Sequence, residues 1–415
     1  MKEFEKHNVV LLVLTIAAHI SNYFFQIIMG RMLDIAHFGI LNSLSSLYAI
    51  VSVPVLIILM VVSKYVSEYK ALDKAVDVLL KKVFVLVFVF SICYTLIGMG
   101  LSGFIASFLN IEDTHLVFFI IVAAGFALLL PVAMGALQGG KNFFAFGIVG
   151  LVFPLTRLFT SAIFVFFGLE LNGIVLSFIL GNVFAILIGM WLLRFNFSIP
   201  IGKLNLRGNF KALQFVWLAF LVNIGMTILI NVDIILVKHF FMDEATGFYS
   251  VASILGKIII FVSSSVIWVM FPFAVEATAR KNDASQILKK ALLYGGGLSV
   301  FYAIGLNIFA RLAITILFGS RYLESVVYIF PISIWTIAVS FIFILANYSL
   351  AINRAKFLSY SLLIGCVIGL VLIYFFHDTI LQIVYILAAI SFGILIMGVV
   401  SIFMRHGKPY AGLTR

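Results

Sequence analysis

Long runs of apolar residues, almost free of charge, recur from one end of the chain to the other. A helix needs about 20 apolar residues to cross the hydrocarbon core of a bilayer. About twelve runs reach that length, and they lie at roughly residues 9–30, 38–62, 83–108, 115–137, 144–167, 171–193, 212–240, 246–275, 287–310, 326–349, 357–376 and 380–403. The pattern predicts an all-α membrane protein with about twelve transmembrane helices.

The composition supports this class. Hydrophobic residues make up 64% of the chain and charged residues 10%, whereas charged residues reach about 25% in soluble domains. A net charge of +11 would suggest nucleic acid as the partner of a soluble protein. Here the basic residues cluster in alternate gaps between the apolar runs, which is the orientation signal of a membrane protein, so we expect no nucleic-acid partner.

The distribution of Lys and Arg among the gaps predicts the orientation. With the N-terminus in the cytoplasm, most of the 27 basic residues fall on the cytoplasmic side. The outer side receives only Arg31, Lys238, Arg311 and Arg321. Cytoplasmic loops carry the excess of basic residues in membrane proteins, so we expect a multi-pass protein of the cytoplasmic membrane with both termini inside.

Several functional classes lack support in the sequence. Cys93 and Cys366 fall inside predicted spans, which favours small buried side chains over a disulfide or a metal pair. The chain has no Walker phosphate-binding loop and no outer loop large enough for the acidic and His residues of a sugar polymerase. We therefore expect no catalytic residue, no metal and no cofactor, and a protein that is not an enzyme.

Two echoes in the sequence indicate an internal repeat. Gly39–Leu47 and Gly247–Leu255 carry Gly, Ser and Leu at the same positions, with an offset of 208. Ala136–Lys141 and Ala351–Lys356 form a second echo with an offset of 215. Because each half would hold six spans, an even number, the halves insert in the same sense as parallel repeats.

The repeat sets the expected domain boundaries. Residues 1–195 would form an N-terminal six-helix bundle and residues 212–415 a C-terminal one. Residues 196–211, which are basic and contain Pro200 and Gly202, would form a cytoplasmic linker.

Three segments resemble the polysaccharide-biosynthesis flippases, the oligosaccharidyl-lipid branch of the multidrug/oligosaccharidyl-lipid/polysaccharide exporter (MOP) superfamily. These are Arg31–Gly39, Ala136–Gly140, and Val232–Asp233 followed by Gly247–Ser250. The resemblance implies two six-helix bundles that form a V-shaped central cavity. It also implies transport of a polyprenyl-diphosphate-linked oligosaccharide from the cytoplasmic to the outer leaflet. Some superfamily members have fourteen spans, so a role of extra helices does not carry over to this chain.

Two cations lie deep inside predicted spans, where an ionisable group normally has a partner or a task. Lys257 shares a helix face with Ser253, and its ammonium is a candidate to bind the diphosphate. The alternative is a structural ion pair with Asp233. Arg157 lies one turn after Pro154. Its forked guanidinium suits phosphate, although it is an equal candidate to bond backbone carbonyls that the proline frees.

Asp233 is the one carboxylate inside a predicted span. Pairing with Lys257 or Arg157 is the preferred interpretation, since a buried carboxylate beside cations needs no further purpose. The other interpretation is an ion-coupling site that binds H⁺ or Na⁺.

Amide side chains complete the candidate substrate site. Asn22, Gln26 and Asn347 offer both donors and acceptors, which suits sugar hydroxyls. Arg31 closes the first span and either snorkels to the headgroups or faces the mouth of the cavity.

The sequence thus predicts a flippase that works by alternating access and has a cationic cavity for the diphosphate. Its expected partners are the lipid-linked sugar, the bilayer and possible polysaccharide assembly proteins. One alternative is a cation-coupled exporter of drugs or small molecules on the same fold. A less favoured alternative is a membrane-embedded enzyme of sugar-polymer assembly.

Overall fold

The computed structural model describes residues 2–72, 75–195, 210–280 and 283–403. The chain forms two compact units, residues 1–209 and 210–415. The described part of the first unit contains helices α1 (Lys2–Met32), α2 (Ile35–Val51), α3 (Pro54–Ala71), α4 (Val76–Phe108), α5 (Thr114–Ala127), α6 (Leu130–Gly139), α7 (Phe143–Phe166) and α8 (Glu170–Leu193).

The second unit is also helical in its described part. Its helices are α9 (Phe210–Phe240), α10 (Asp243–Ala279), α11 (Ser285–Ala291), α12 (Gly297–Ile308), α13 (Ala310–Leu317), α14 (Val326–Ala351), α15 (Lys356–Phe375) and α16 (Ile380–Phe403). A π-helical turn, Leu292–Gly296, joins α11 to α12, and a 3₁₀ segment, Ser320–Ser325, precedes α14.

Over the described residues, 12 helical segments are long and apolar enough to cross a membrane, six in each unit. Many of their outward side chains are large and apolar, including Phe104, Phe166 and Phe301, each at least 73% exposed. Water would oppose so much exposed apolar surface, whereas lipid accommodates it. The predicted all-α class with two six-span halves is confirmed, and the protein is a multi-pass membrane protein.

Two spans of the first unit are each divided into a pair of helices, and in both the second helix begins with a proline in its first turn: Pro54 in α3 and Pro131 in α6. The span Ile35–Lys70 breaks between α2 and α3, and Pro54 stands at the start of α3. Proline lacks an N–H, so it fits the first turn of a helix but interrupts a longer one. The hydroxyl of Tyr94 donates a 2.7 Å hydrogen bond to the carbonyl of Val51 at this break, which satisfies a carbonyl at the end of α2.

The helix ends confirm the repeat and correct its second register. Adding 208 to the end of α1 and the start of α2 gives the end of α9 and the start of α10. The offset between the ends of α6 and α14 is 351 − 139 = 212, three less than the sequence echo suggests. The echoed residues therefore do not occupy equivalent positions at that helix end.

The predicted linker between the two units can be located only in part. The predicted linker 196–211 falls mainly on residues 196–209, outside the described residues, while Phe210 and Lys211 already belong to α9. Asp243 and Glu244 are the first residues of α10. Asp243 pairs with the buried Lys238 of α9, with 2.5 Å between Nζ and Oδ1.

Candidate functional site

Arg157 lies at the polar centre of the first unit. It is buried, with 8% of its surface exposed, in the part of α7 that packs against α1 and α8. Its Nη2 donates a 2.7 Å hydrogen bond to Oδ1 of Asn22 on α1. The structure thus joins two residues that the sequence predicted as substrate ligands. This hydrogen bond of Arg157 goes to a side chain and not to a backbone carbonyl, which was the alternative prediction.

Aromatic rings surround the guanidinium of Arg157. Its Cζ lies 4.0 Å from the ring centre of Phe25, 4.8 Å from that of Phe178 and 5.4 Å from that of Phe153. The face of an aromatic ring attracts a cation, by about 2 kcal/mol or more when the pair is desolvated. The rings therefore hold the guanidinium in a fixed place without neutralising its charge.

Among the described residues, no carboxylate forms an ion pair with Arg157. Its Nε is buried and has no hydrogen-bond partner, and the same is true of Oε1 of Gln26, one helical turn after Asn22. A buried charge without a counter-ion is expensive. The first unit therefore holds a cation with spare donor capacity and a nearby free acceptor on the same face of α1.

Tyr48 and Asn182 extend this centre, and neither was predicted from the sequence. Nδ2 of Asn182 on α8 donates to the hydroxyl of Tyr48 on α2 at 2.9 Å. The ring of Tyr48 stacks on Phe153, with 6.0 Å between ring centres, and meets Phe178 edge-on at 5.0 Å. Since both phenylalanines also contact Arg157, Tyr48 and Asn182 belong to the same cluster as the guanidinium. An Asn in the middle of the apolar run 171–193 was the one signal that could have pointed to Asn182.

The second unit has its own polar centre around Asp233 of α9. This carboxylate is fully buried. Its Oδ1 accepts from Nζ of Lys257 at 2.9 Å. Its Oδ2 accepts from the hydroxyls of Ser253 at 2.6 Å and Tyr249 at 3.0 Å. The carboxylate is therefore paired with a cation and also hydrogen-bonded through both oxygens.

Helical spacing explains how one helix supplies all three donors. Tyr249, Ser253 and Lys257 follow one another at four-residue steps along α10, and residues four apart share a face. The ammonium of Lys257 also lies 6.0 Å from the ring centre of Trp335 on α14. Its side chain is 11% exposed. Tyr249 stands within the Gly-Phe-Tyr-Ser segment already noted in the sequence, but nothing in the pattern assigned it to Asp233.

The remaining two predicted ligands lie outside both clusters. Arg31 is exposed in the last turn of α1. Nδ2 of Asn347 donates at 2.9 Å to the carbonyl of Phe343, four residues earlier on α14. Among the described residues, no three His, Cys, Asp or Glu side chains come together in a way that would hold a metal ion.

Two helical units with six spans each and a buried polar centre define a class of polytopic membrane proteins built from an internal repeat. The sequence model of the polysaccharide biosynthesis protein family matches residues 28–327, and the chain belongs to that family. A search of curated protein sequences found no match.

Solved structures with the same fold are transporters of the MOP superfamily. An inward-facing MATE-family multidrug resistance transporter superposes with a TM-score of 0.74 at 11% identity, over 95% of this chain and 96% of its own. The lipid II flippase MurJ, in an inward closed conformation, gives 0.67 at 14% identity, over 95% and 87%. The eukaryotic MATE transporter AtDTX14 gives 0.67 at 13% identity, over 97% and 96%.

Proposed function

We propose that this protein is a flippase that carries a polyprenyl-diphosphate-linked oligosaccharide from the cytoplasmic to the outer leaflet of the cell membrane. The observation that carries the proposal is the uncompensated charge of Arg157. Family membership supports the assignment to polysaccharide synthesis, and a lipid II flippase has the same fold.

The chemistry of the substrate matches that of the site. A diphosphate cannot enter hydrocarbon without a group that replaces its hydration. A guanidinium offers planar, paired donors to phosphate oxygens, and Arg157 keeps its Nε free for one of them. Gln26 and Asn22 on α1 then present amide groups to the first sugar, as the sequence analysis expects. Arg31 and Asn347 remain candidates for contacts farther along the oligosaccharide.

Lys257 differs from Arg157 as a diphosphate ligand. Its ammonium already faces a carboxylate at 2.9 Å, so its charge is neutralised within the chain. Binding a diphosphate there would require the ammonium to leave Asp233 or to share it. We therefore assign the diphosphate to Arg157 first, with Ser253 and Lys257 secondary.

The proposal has a direct test in reconstituted vesicles. The substrate is a polyprenyl-diphosphate disaccharide with a fluorophore on the sugar, and the quencher is dithionite, which does not cross the bilayer. Wild-type protein should expose the inner-leaflet pool to quenching. Losing a hydrogen bond to a charged group costs about 1.5–3 kcal/mol, so Arg157→Ala should weaken substrate binding about 10- to 100-fold and slow quenching at low substrate.

Two controls accompany this test. Arg157→Lys keeps the charge but not the fork, so it should retain part of the activity. Arg311 is exposed on α13, so Arg311→Ala makes the same change away from the site and should leave the rate unchanged. A monodisperse Arg157→Ala protein that flips the lipid at the wild-type rate would remove Arg157 from the site.

The rival function is cation-coupled export of drugs or other small molecules, and a multidrug resistance transporter of the MATE family has the same fold. A buried guanidinium without a counter-ion would repel a cationic drug, which favours the anionic passenger. Protection of growth against cationic dyes by the wild type, kept or increased in Arg157→Ala, would support the rival. A defect in chain lengthening, with lipid-linked units accumulating on the outer leaflet, would instead indicate an assembly enzyme.

The proposed direction of transport requires both termini in the cytoplasm. An epitope tag at either end should therefore resist protease added to intact spheroplasts and be cleaved after lysis. Cleavage in intact spheroplasts would reverse the topology and with it the direction of transport.

A further inference from the structure

The polar centre of the second unit has the composition of a cation site. Four oxygen atoms converge there: both carboxylate oxygens of Asp233, the hydroxyl of Ser253 and the hydroxyl of Tyr249. All three residues are fully buried. Carboxylate and hydroxyl oxygens are ligands that hard cations prefer. In this chain the positive charge beside them is the ammonium of Lys257, which lies 2.9 Å from Oδ1, whereas the two hydroxyls donate to Oδ2.

Lys257 lies one helical turn after Ser253, so the same helix, α10, carries the ammonium and both hydroxyls. It also faces the ring of Trp335 at 6.0 Å, an additional attraction for any cation at this place. Ser253 and Tyr249 each donate a proton to Oδ2, which leaves lone pairs on both hydroxyl oxygens. The surroundings therefore favour a single positive charge, whether it comes from a side chain or from an ion.

We propose that Lys257 is a tethered occupant of a monovalent-cation site formed by Asp233, Ser253 and Tyr249. The wild-type chain neutralises Asp233 with its own ammonium and takes no Na⁺ there. Replacing Lys257 by a neutral side chain opens a site that binds one Na⁺. Under this proposal Asp233 belongs to an ion pair whose cation is covalently attached to the chain, and it does not link transport to a Na⁺ gradient.

The inference is independent of which substrate the protein carries, and its test needs only purified full-length protein in detergent. Thermal unfolding is measured in NaCl and in choline chloride at equal ionic strength, because choline is too large for a site of this kind. The wild type should unfold at the same temperature in both salts. Lys257→Met, which keeps an apolar stem, should unfold at a lower temperature in choline and regain stability in NaCl with a saturable dose dependence. Its binding of radiolabelled Na⁺ should approach one ion per chain, and that of the wild type should stay at background.

A double variant tests the ligand set. Lys257→Met combined with Asp233→Asn removes both charges, so it should fold without responding to Na⁺. If Lys257→Met is monodisperse in choline but NaCl neither stabilises it nor binds to it, the proposal is wrong. It is also wrong if the wild type itself gains stability specifically from Na⁺ and binds it.

Poor folding of Lys257→Met does not remove the test. If the variant can be purified only when NaCl is present throughout, the site has been opened and the proposal stands. If it is lost equally in both salts, Na⁺ does not replace the ammonium and the proposal falls.

Discussion

Phe25 of α1 and Asp233 of α9 occupy equivalent positions in the two units, since the ends of these helices are related by the offset of 208. Each residue contacts the cation at the polar centre of its own unit, Arg157 in the first and Lys257 in the second. Phe25 presents its ring face to Arg157 at 4.0 Å, whereas Asp233 presents a carboxylate oxygen to Lys257 at 2.9 Å. The repeat has therefore diverged into one unit with a charge-balanced centre and one whose cation lacks a counter-ion among the described residues.

The ion pair in the second unit should behave as a coupled unit. Asp233→Asn leaves Lys257 buried without a counter-ion, and breaking a buried pair in this way costs about 3–5 kcal/mol. Lys257→Met should also destabilise. The double variant should be less destabilised than the sum of the two, with a coupling energy of about 0.5–3 kcal/mol. Denaturant unfolding of the four proteins in choline buffer measures this, and strict additivity would contradict the pairing.

The contact of α3 with α6 depends on Gly139. A Cβ at this position would lie 2.4 Å from the backbone carbonyl oxygen of Ser63, so the two helices would have to separate. We expect Gly139→Ala to destabilise the protein by about 1–3 kcal/mol, the usual cost of overpacking. Gly103→Ala is the matched control, because a Cβ there meets nothing within 4 Å. Thermal unfolding of both variants compares them, and equal midpoints would contradict the close approach.

Two adjacent glycines at the end of the π-helical turn, Gly296 and Gly297, should differ in how well they tolerate alanine. A Cβ on Gly296 would lie 2.3 Å from Cζ of Phe341 on α14, whereas a Cβ on Gly297 meets nothing within 4 Å. The ring can turn aside in part, so Gly296→Ala should cost about 1 kcal/mol. Gly297→Ala should be neutral or slightly stabilising, since alanine favours helix. The unfolding midpoints of the pair provide the measurement, and the reverse order would show that α12 packs differently.

The start of α2 should give a measurable pH dependence. Asp34 lies between the first two spans and caps α2, since its Oδ1 accepts from the backbone N–H of His37 at 2.8 Å. Burial raises the pKa of Asp34, but hydrogen bonds from the backbone and ring of His37, its charge, and a bond from the backbone of Ala36 outweigh that effect and lower the pKa. The carboxylate therefore stabilises the fold above the unfolded pKa of about 3.9, and this contribution is lost as the pH falls through the lower, folded value.

Two variants of Asp34 separate the cap from the charge. Asp34→Ala should cost about 1 kcal/mol at neutral pH, the usual value of a helix N-cap. Asp34→Asn keeps an acceptor but does not titrate. Its stability should therefore be lower than that of the wild type above the unfolded pKa of about 3.9, and the difference should shrink as the pH falls through the lower, folded pKa of Asp34. Unfolding curves across this pH range measure the difference, and a constant difference would exclude a role for the carboxylate charge.

The sequence alone determined the class, the number of spans and the two-fold repeat. These properties follow from the length of the apolar runs and from helix periodicity, because a bilayer imposes both on every helix that crosses it. The same local rule placed Tyr249, Ser253 and Lys257 on one face of α10, and the apolar run around Asp233 marked it as unusual. The offset of 208 between the repeated segments also predicted where α10 begins relative to the start of α2.

Only the tertiary structure decided which charges meet. Asn22 is 135 positions from Arg157 in the chain, and Asn182 is 134 from Tyr48. No local periodicity relates such residues, since their contact depends on how α1, α2, α7 and α8 pack. Packing likewise places a carboxylate beside Lys257 and three aromatic rings around Arg157. The sequence shows both cations as isolated charges in apolar runs, so it does not reveal this difference.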